Sequence, residues 1–265
     1  MKQITRIFAI LFITTLFVNC SSSNDDGPGD ITRDRTFADL EQDFSEIEFT
    51  TGVNDVAILN FDNELWRFRV IMPDVDFTNN KRPLIITLHG YAGTATDAHQ
   101  NTACYAEPGF ESLDPIIISP FGSDLQWFEI FNQELVLNLV VLAKNHLPVD
   151  EDKVVVNGYS DGGSGAWYFS EYYPQLFSAG VPMASAYGNY NPNGSAHYIS
   201  IPMYAIHGEN DELFPLENAQ NWIDATTLSG TDVTFVVAPG LTHPEPCSYV
   251  PYLEDASAWL VNEVW

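Results

Sequence analysis

Short, near-continuous apolar runs, with helix-length segments between several of them, restrict this chain more than any other feature. The runs are Leu84–Leu88, Ile116–Ser119, Val154–Val156, Val181–Ala184, Met203–Ile206 and Val233–Val237. Successive side chains of a strand point to opposite faces, so a strand with one wet face alternates apolar and polar residues. Unbroken apolar runs read instead as strands buried on both faces, the mark of a parallel sheet covered by helices. Leu65–Met72 does alternate and reads as an antiparallel strand. Helix-length segments are Ile130–His146, Gly163–Tyr173, Leu216–Leu228 and Tyr252–Val264, and Leu135, Leu139 and Leu142 fall on one face of the first. The alternation predicts a doubly wound α/β fold: a mostly parallel central sheet with helices on both faces. There is no internal repeat.

The N-terminus does not belong to that pattern. Lys2 and Arg6 precede an apolar run from Ile7 to Val18, then Asn19 and Cys20. A basic start followed by a short apolar stretch is an export signal, and the stretch is too short for a permanent membrane span. Residues 1–19 are therefore expected to be a signal peptide. Cys20 stands where a bacterial lipoprotein carries its lipidated cysteine, and Ser21–Asp26 resembles the start of mature lipoproteins. The residues before Cys20, Leu16-Phe17-Val18-Asn19, depart from the usual lipobox; plain secretion is the alternative. From Cys20 to Thr36 the chain has too few apolar side chains to order itself and reads as a tether. Residues 37–265, about 230 residues, suit one domain with a full core.

The formal net charge of −26 argues against nucleic-acid binding and against docking on anionic lipid, so contact with membrane is expected through the anchor alone. Besides Cys20 the cysteines are Cys104 and Cys247, which in an exported domain either pair or remain buried thiols. No spacing suits a metal, and no cofactor is implied.

Chemistry is carried by four segments. Val154–Gly163 runs from a buried strand through Gly158-Tyr159-Ser160-Asp161-Gly162 into a helix, the context of a nucleophile held on a tight turn. Leu84–Leu88 ends in His89-Gly90, and His89 reads as a structural histidine. Met203–Ile206 leads to Asp211, with Glu209 and Glu212 as competing acids. Val233–Val237 leads to His243, the last of the six histidines, with His197 as the fallback. The order Ser160, Asp211, His243 is that of an α/β-hydrolase triad.

Gly158–Trp167, followed by Tyr173-Pro174, Phe177 and Pro182, resembles the G-x-S-x-G-G-x-G-x-W…Y-P-x-x-F…P signature of esterases in the polyhydroxybutyrate depolymerase and feruloyl esterase group. Phospholipase/carboxylesterase and predicted-peptidase families share much of it. The His207–Pro215 and Gly240–His243 blocks are also similar to theirs, and the resemblance extends from about Pro83 to the C-terminus. It implies an α/β-hydrolase fold without a large lid and a serine esterase that works through an acyl-enzyme. The backbone N–H groups of Tyr91 and Asp161 would hold the oxyanion. Asp161 is a departure, since relatives often carry a neutral residue after the serine.

Ser185–Ser200 stands where larger hydrolases insert a cap, and its Gly, Asn and Tyr content reads as a loop. An open site suits esters on polymers or plant-wall polysaccharides, with Tyr91, Trp127, Tyr159, Tyr187 and Tyr190 as candidate cleft aromatics. A peptidase of the same fold is the rival reading among enzymes. A non-catalytic surface binding protein is the rival outside them.

Overall fold

The apolar runs become the centre of one sheet in the computed structural model, which describes residues 34–78, 80–188 and 195–265. The expected signal peptide, Cys20, most of the tether and Tyr190 lie outside the described residues. The strands are β1 (Gly52–Leu59), β2 (Leu65–Met72), β3 (Arg82–Leu88), β4 (Ile116–Pro120), β5 (Val149–Tyr159), β6 (Ala179–Met183), β7 (Met203–Gly208) and β8 (Val233–Ala238). Their order is β1-β2-β4-β3-β5-β6-β7-β8. The β1–β2 and β2–β4 pairs are antiparallel, and every later pair is parallel.

Alternate residues of the central strands feed two separate cores, as the period of a strand requires. Leu84, Ile86 and Leu88 of β3, with Val154 and Val156 of β5, join one cluster. Ile85 and Val155 point the other way into a second. On the first face lie α1 (Phe37–Ser45), α3 (Ile130–His146) and α4 (Asp161–Tyr172), through Phe44, Leu139 and Phe169 among others. On the second lie α2 (Ala103–Phe110) and α6 (Val250–Trp259), through Tyr105, Phe110 and Leu253. The helix α5 (Leu216–Leu228) packs Ile223 against Met203 and Ala205 of β7.

The α/β-hydrolase architecture expected from the sequence is present, with differences in detail. The β1 strand was not expected, since of its short apolar run Val56–Leu59 only Ile58 is buried. It is an edge strand made by its ladder to β2, in register from Gly52 opposite Met72 to Leu59 opposite Leu65, with Arg69 and Asp55 forming a two-point ion pair across it at 2.8 Å. The helix expected from Gly163 starts at Asp161, because the turn that ends β5 passes directly into it. The segment Tyr252–Val264 is α6 followed by one π-type turn over Leu260–Val264. Cys104 lies in the first turn of α2. Arg35 and Thr36, at the end of the expected tether, already contact the fold. The Arg35 N–H donates to the Phe61 carbonyl at 3.1 Å, and the Thr36 N–H donates to Asp39 at 2.8 Å to cap α1.

The topology collects the chemistry at one edge. His89, Ser160, Asp211 and His243 each follow the C-terminal end of a parallel strand, where sites of open α/β sheets form.

Candidate active site

The turn from β5 into α4 is possible only because of its glycines. A Cβ on Gly158 would lie 2.1 Å from the Gly162 carbonyl oxygen, and one on Gly162 would lie 2.0 Å from the Leu88 carbonyl oxygen. No side chain fits at such distances, so backbone packs directly on backbone there. Between them Ser160 adopts φ 57°, ψ −119°, a region that non-glycine residues rarely enter and that clusters at functional sites. The conformation is held by the Ser160 N–H donating to the Met183 carbonyl at 3.0 Å. The side chain is thereby turned to the rim of the sheet.

Ser160 Oγ stands 3.0 Å from His243 Nε2, and His243 Nδ1 stands 2.8 Å from Asp211 Oδ2. Donation from Nδ1–H to the carboxylate leaves Nε2 free to accept the serine proton. The other Asp211 oxygen accepts the Leu213 and Phe214 N–H groups at 3.0 and 2.8 Å, which fixes the carboxylate from two sides. His207 supports the same loop: its Nε2 donates to the Phe214 carbonyl at 2.7 Å, and burial lowers its pKa.

The competing acids have another use. Glu209 accepts the Gly240 N–H at 2.8 Å and Glu212 the His243 N–H at 3.4 Å, so both hold the loop that carries His243. The Tyr159 hydroxyl donates to the His243 carbonyl, and the edge of the Phe214 ring meets the His243 ring at 5.0 Å. Sequence order could single out Asp211 but not these supports, which depend on how two separate loops meet. His197 pairs with Glu171 and takes no part in the triad geometry.

A Cβ on Gly90 would touch Ser160 Cβ at 3.3 Å, which places the following amide, that of Tyr91, beside the serine. Among the described residues neither the Tyr91 nor the Asp161 backbone N–H has a hydrogen-bond partner. Both are thus available to an oxyanion. His89 is structural: its Nδ1–H donates to the Gly90 carbonyl at 2.6 Å and its Nε2 accepts the Gly122 N–H at 3.0 Å. Burial pushes its pKa down to about 4, consistent with the neutral tautomer those bonds require.

The expected cleft aromatics divide. Trp127 is a correction: it is only 2 % exposed, its indole N–H donates to the His89 carbonyl at 3.0 Å, and it fills the space above Gly165. Its size and a buried hydrogen-bond partner made it a core residue. Tyr91 and Tyr159 line an open cleft with Ser160 and His243, walled also by Asn101, Tyr105, Leu213 and Pro246. Tyr187 stacks on Trp167 at 5.6 Å and lines a second cleft that Asp161 enters. The Asp161 carboxylate lies in that second cleft beside Gln126 at 3.4 Å, and burial raises its pKa.

Cys104 and Cys247 form a disulfide with Cα atoms 5.3 Å apart. It joins the start of α2 to a short 3₁₀ turn, Pro246–Tyr249, behind His243.

The model of the dienelactone hydrolase family matches residues 75–259. A "Putative carboxymethylenebutenolidase" of Salmonella typhimurium is 24 % identical over 115 residues, covering 41 % of this chain and 43 % of that protein. The chain thus spans less than half the length of that curated relative. Among solved structures, a thermostable esterase superposes with a TM-score of 0.63 at 20 % identity, covering 79 % of this chain and 62 % of the other. A fluorophosphonate-binding serine hydrolase of Staphylococcus aureus gives 0.62 at 14 % identity, covering 81 % and 100 %. An S-formylglutathione hydrolase of the same organism gives 0.61 at 14 %, covering 82 % and 99 %. These structural likenesses are likenesses of fold.

Proposed function

The chain belongs to the dienelactone hydrolase family, and from that premise we propose that it is a serine hydrolase that cleaves carboxylic esters at Ser160. The observation that carries this reading is the continuous relay from Ser160 Oγ through His243 to Asp211, at 3.0 and 2.8 Å. Ser160 attacks the ester carbonyl while His243 Nε2 takes its proton, and Asp211 stabilises the imidazolium. The Tyr91 and Asp161 amides receive the oxyanion. Collapse of the tetrahedral species breaks the bond to the alcohol, which leaves with the proton from His243. Water, deprotonated by the same histidine, then releases the acid and restores Ser160.

A fluorophosphonate probe tests this directly. Covalent labelling at Ser160 is expected, together with turnover of p-nitrophenyl acetate. A non-catalytic binding protein would give neither, and either failure removes the proposal. The finer substrate reading is an ester carried on a polymer or polysaccharide, as in the polyhydroxybutyrate depolymerase and feruloyl esterase group. The open cleft lined by Ser160 and His243 favours it over a buried lipid tail.

Export and lipid anchoring at Cys20 form part of the same reading, supported by the basic and apolar start of the chain. Cys20→Ser is expected to move the protein from the membrane fraction to the soluble one, since a thioether-linked lipid needs that thiol. Stable attachment requires more than one acyl chain. Wild-type protein that is soluble and carries no lipid by mass spectrometry would remove the anchor.

A further inference from the structure

The second cleft, along α4, is a separate place on the molecule: no residue lines both it and the cleft that holds Ser160 and His243. Asp161, Ser164, Tyr168, Glu171 and Tyr172 line it and recur at helical spacing, so they share a face of the helix. Asp161 opens α4 and Glu171 follows three turns later, which at the usual helical rise sets the two positions about 15 Å apart along the axis. Ser164 and Tyr168 lie between them.

The two carboxylates are poorly satisfied. The Glu171 side chain is 5 % exposed, His197 pairs with one oxygen, and the other, Oε2, is buried with no hydrogen-bond partner among the described residues. A buried acceptor without a donor is costly, so it marks a place where a ligand donor is favoured. Asp161 has the long contact from the Gln126 amide at 3.4 Å. Burial raises the pKa of both acids, because the charged forms have lost water that these few partners do not replace. Among the described residues no lysine or arginine lines the cleft, and the bordering segment Ser185–Ser200 contains none. Phe128, Tyr168 and Tyr172 add a chain of rings, with centroids 6.2 Å apart for the first pair and 4.7 Å for the second. Phe128 and Tyr172 are exposed to solvent.

We propose that this cleft binds a linear aliphatic polyamine, with one ammonium at Glu171, another at Asp161 and the methylene chain laid over the rings. The site does not depend on the chemistry at Ser160. Ammonium groups only donate, and each polar group offered here can accept: Glu171 Oε2, the Asp161 carboxylate, the Ser164 hydroxyl and the Gln126 side-chain carbonyl. Methylenes lie against ring faces as a lysine stem does, and a charge over a ring adds attraction. A single ammonium satisfies one carboxylate and leaves the other. A metal ion fits poorly, since the two acids are too far apart to share one, and among the described residues no three His, Cys, Asp or Glu side chains gather to hold one. An anion would meet two carboxylates and neither lysine nor arginine.

The test is calorimetric titration with spermine, putrescine and magnesium chloride in about 0.15 M sodium chloride, where salt screens the general pull of a net charge of −26. The wild type is expected to bind one spermine, about tenfold or more tighter than putrescine, which is too short to reach both acids. Glu171→Gln should weaken spermine binding about tenfold and Tyr172→Ala about fivefold. Asp161→Asn should remove most of the advantage of spermine over putrescine. Glu111→Gln, in a separate acidic groove with Asp74 and Glu107, should leave binding unchanged. Melting temperatures of the unliganded variants establish folding, and if Glu171→Gln does not fold, Asp161→Asn and Tyr172→Ala decide. No saturable one-to-one binding of spermine, or spermine held no tighter than putrescine or magnesium, overturns the proposal. So do losses in the cleft variants no larger than in Glu111→Gln, which would mean a counterion drawn by net charge only.

Discussion

Ser160→Ala is expected to lower kcat on p-nitrophenyl acetate by about 10⁴- to 10⁶-fold while leaving the melting temperature close to that of the wild type. The serine supplies the atom that forms the acyl-enzyme, so its loss removes the covalent route rather than weakening it. The Tyr91 and Asp161 amides are backbone groups and survive the substitution, which is why a residual rate above that of water should remain. Its fold contribution is small, because the turn is set by Gly158 and Gly162 and by the Ser160 N–H bond to Met183, none of which needs the hydroxyl. Alanine also relieves no strain, since it must adopt the same positive φ. His243→Ala should cost about as much, and the double variant little more than either single one, because the two act as a unit. Near-additive losses, or wild-type turnover in Ser160→Ala, would show that hydrolysis takes another path.

The site was legible in the sequence as far as each segment could be read alone. Glycines at 158 and 162 around a serine, between an apolar strand and a helix, specify a backbone turn that few other residues could make. The acid and the histidine were legible as residues following strands, since parallel strands deliver their C-terminal ends to one edge. What the sequence hid depends on contacts between loops far apart in the chain. Glu209 and Glu212 look like rivals of Asp211 until the His243 loop folds back over them and its amides find their carboxylates. Trp127 reads as an exposed loop aromatic, but Gly122 and Gly165 leave a space that its ring fills. The β1 strand was missed for a different reason: an edge strand buries little, and of its apolar residues Val56–Leu59 only Ile58 is buried, so its ladder to β2 defines it more than its side chains do.

Loss of the Cys104–Cys247 bond is expected to be the largest single effect on stability. The two cysteines are separated by 143 positions, and for a loop of that length the chain-entropy model gives about 5 kcal/mol. In a domain of this size that corresponds to a fall in melting temperature on the order of 10–20 °C. The bond also joins parts of the active-site wall. Asn101, Thr102 and Tyr105, close to Cys104 in the chain, and Pro246, next to Cys247, all line the Ser160 cleft. His243 is a few residues upstream of Cys247. Opening the bond should therefore loosen the His243 loop, already held by Tyr159, Glu209 and Glu212, before the sheet itself unfolds. Small misplacement of a general base is costly, so activity should fall at temperatures where the fold is still intact. The measurement is calorimetric melting and p-nitrophenyl acetate turnover of the wild type with and without reductant, alongside the Cys104→Ala/Cys247→Ala double variant. Reduced wild type and double variant should agree in both readouts, since each removes the same link. A shift in melting temperature below about 2 °C in both would mean that the unfolded chain is already compact enough to make the link redundant. In that case the tie between α2 and the His243 loop would be carried by the surrounding packing of Tyr105, Tyr159 and Tyr249.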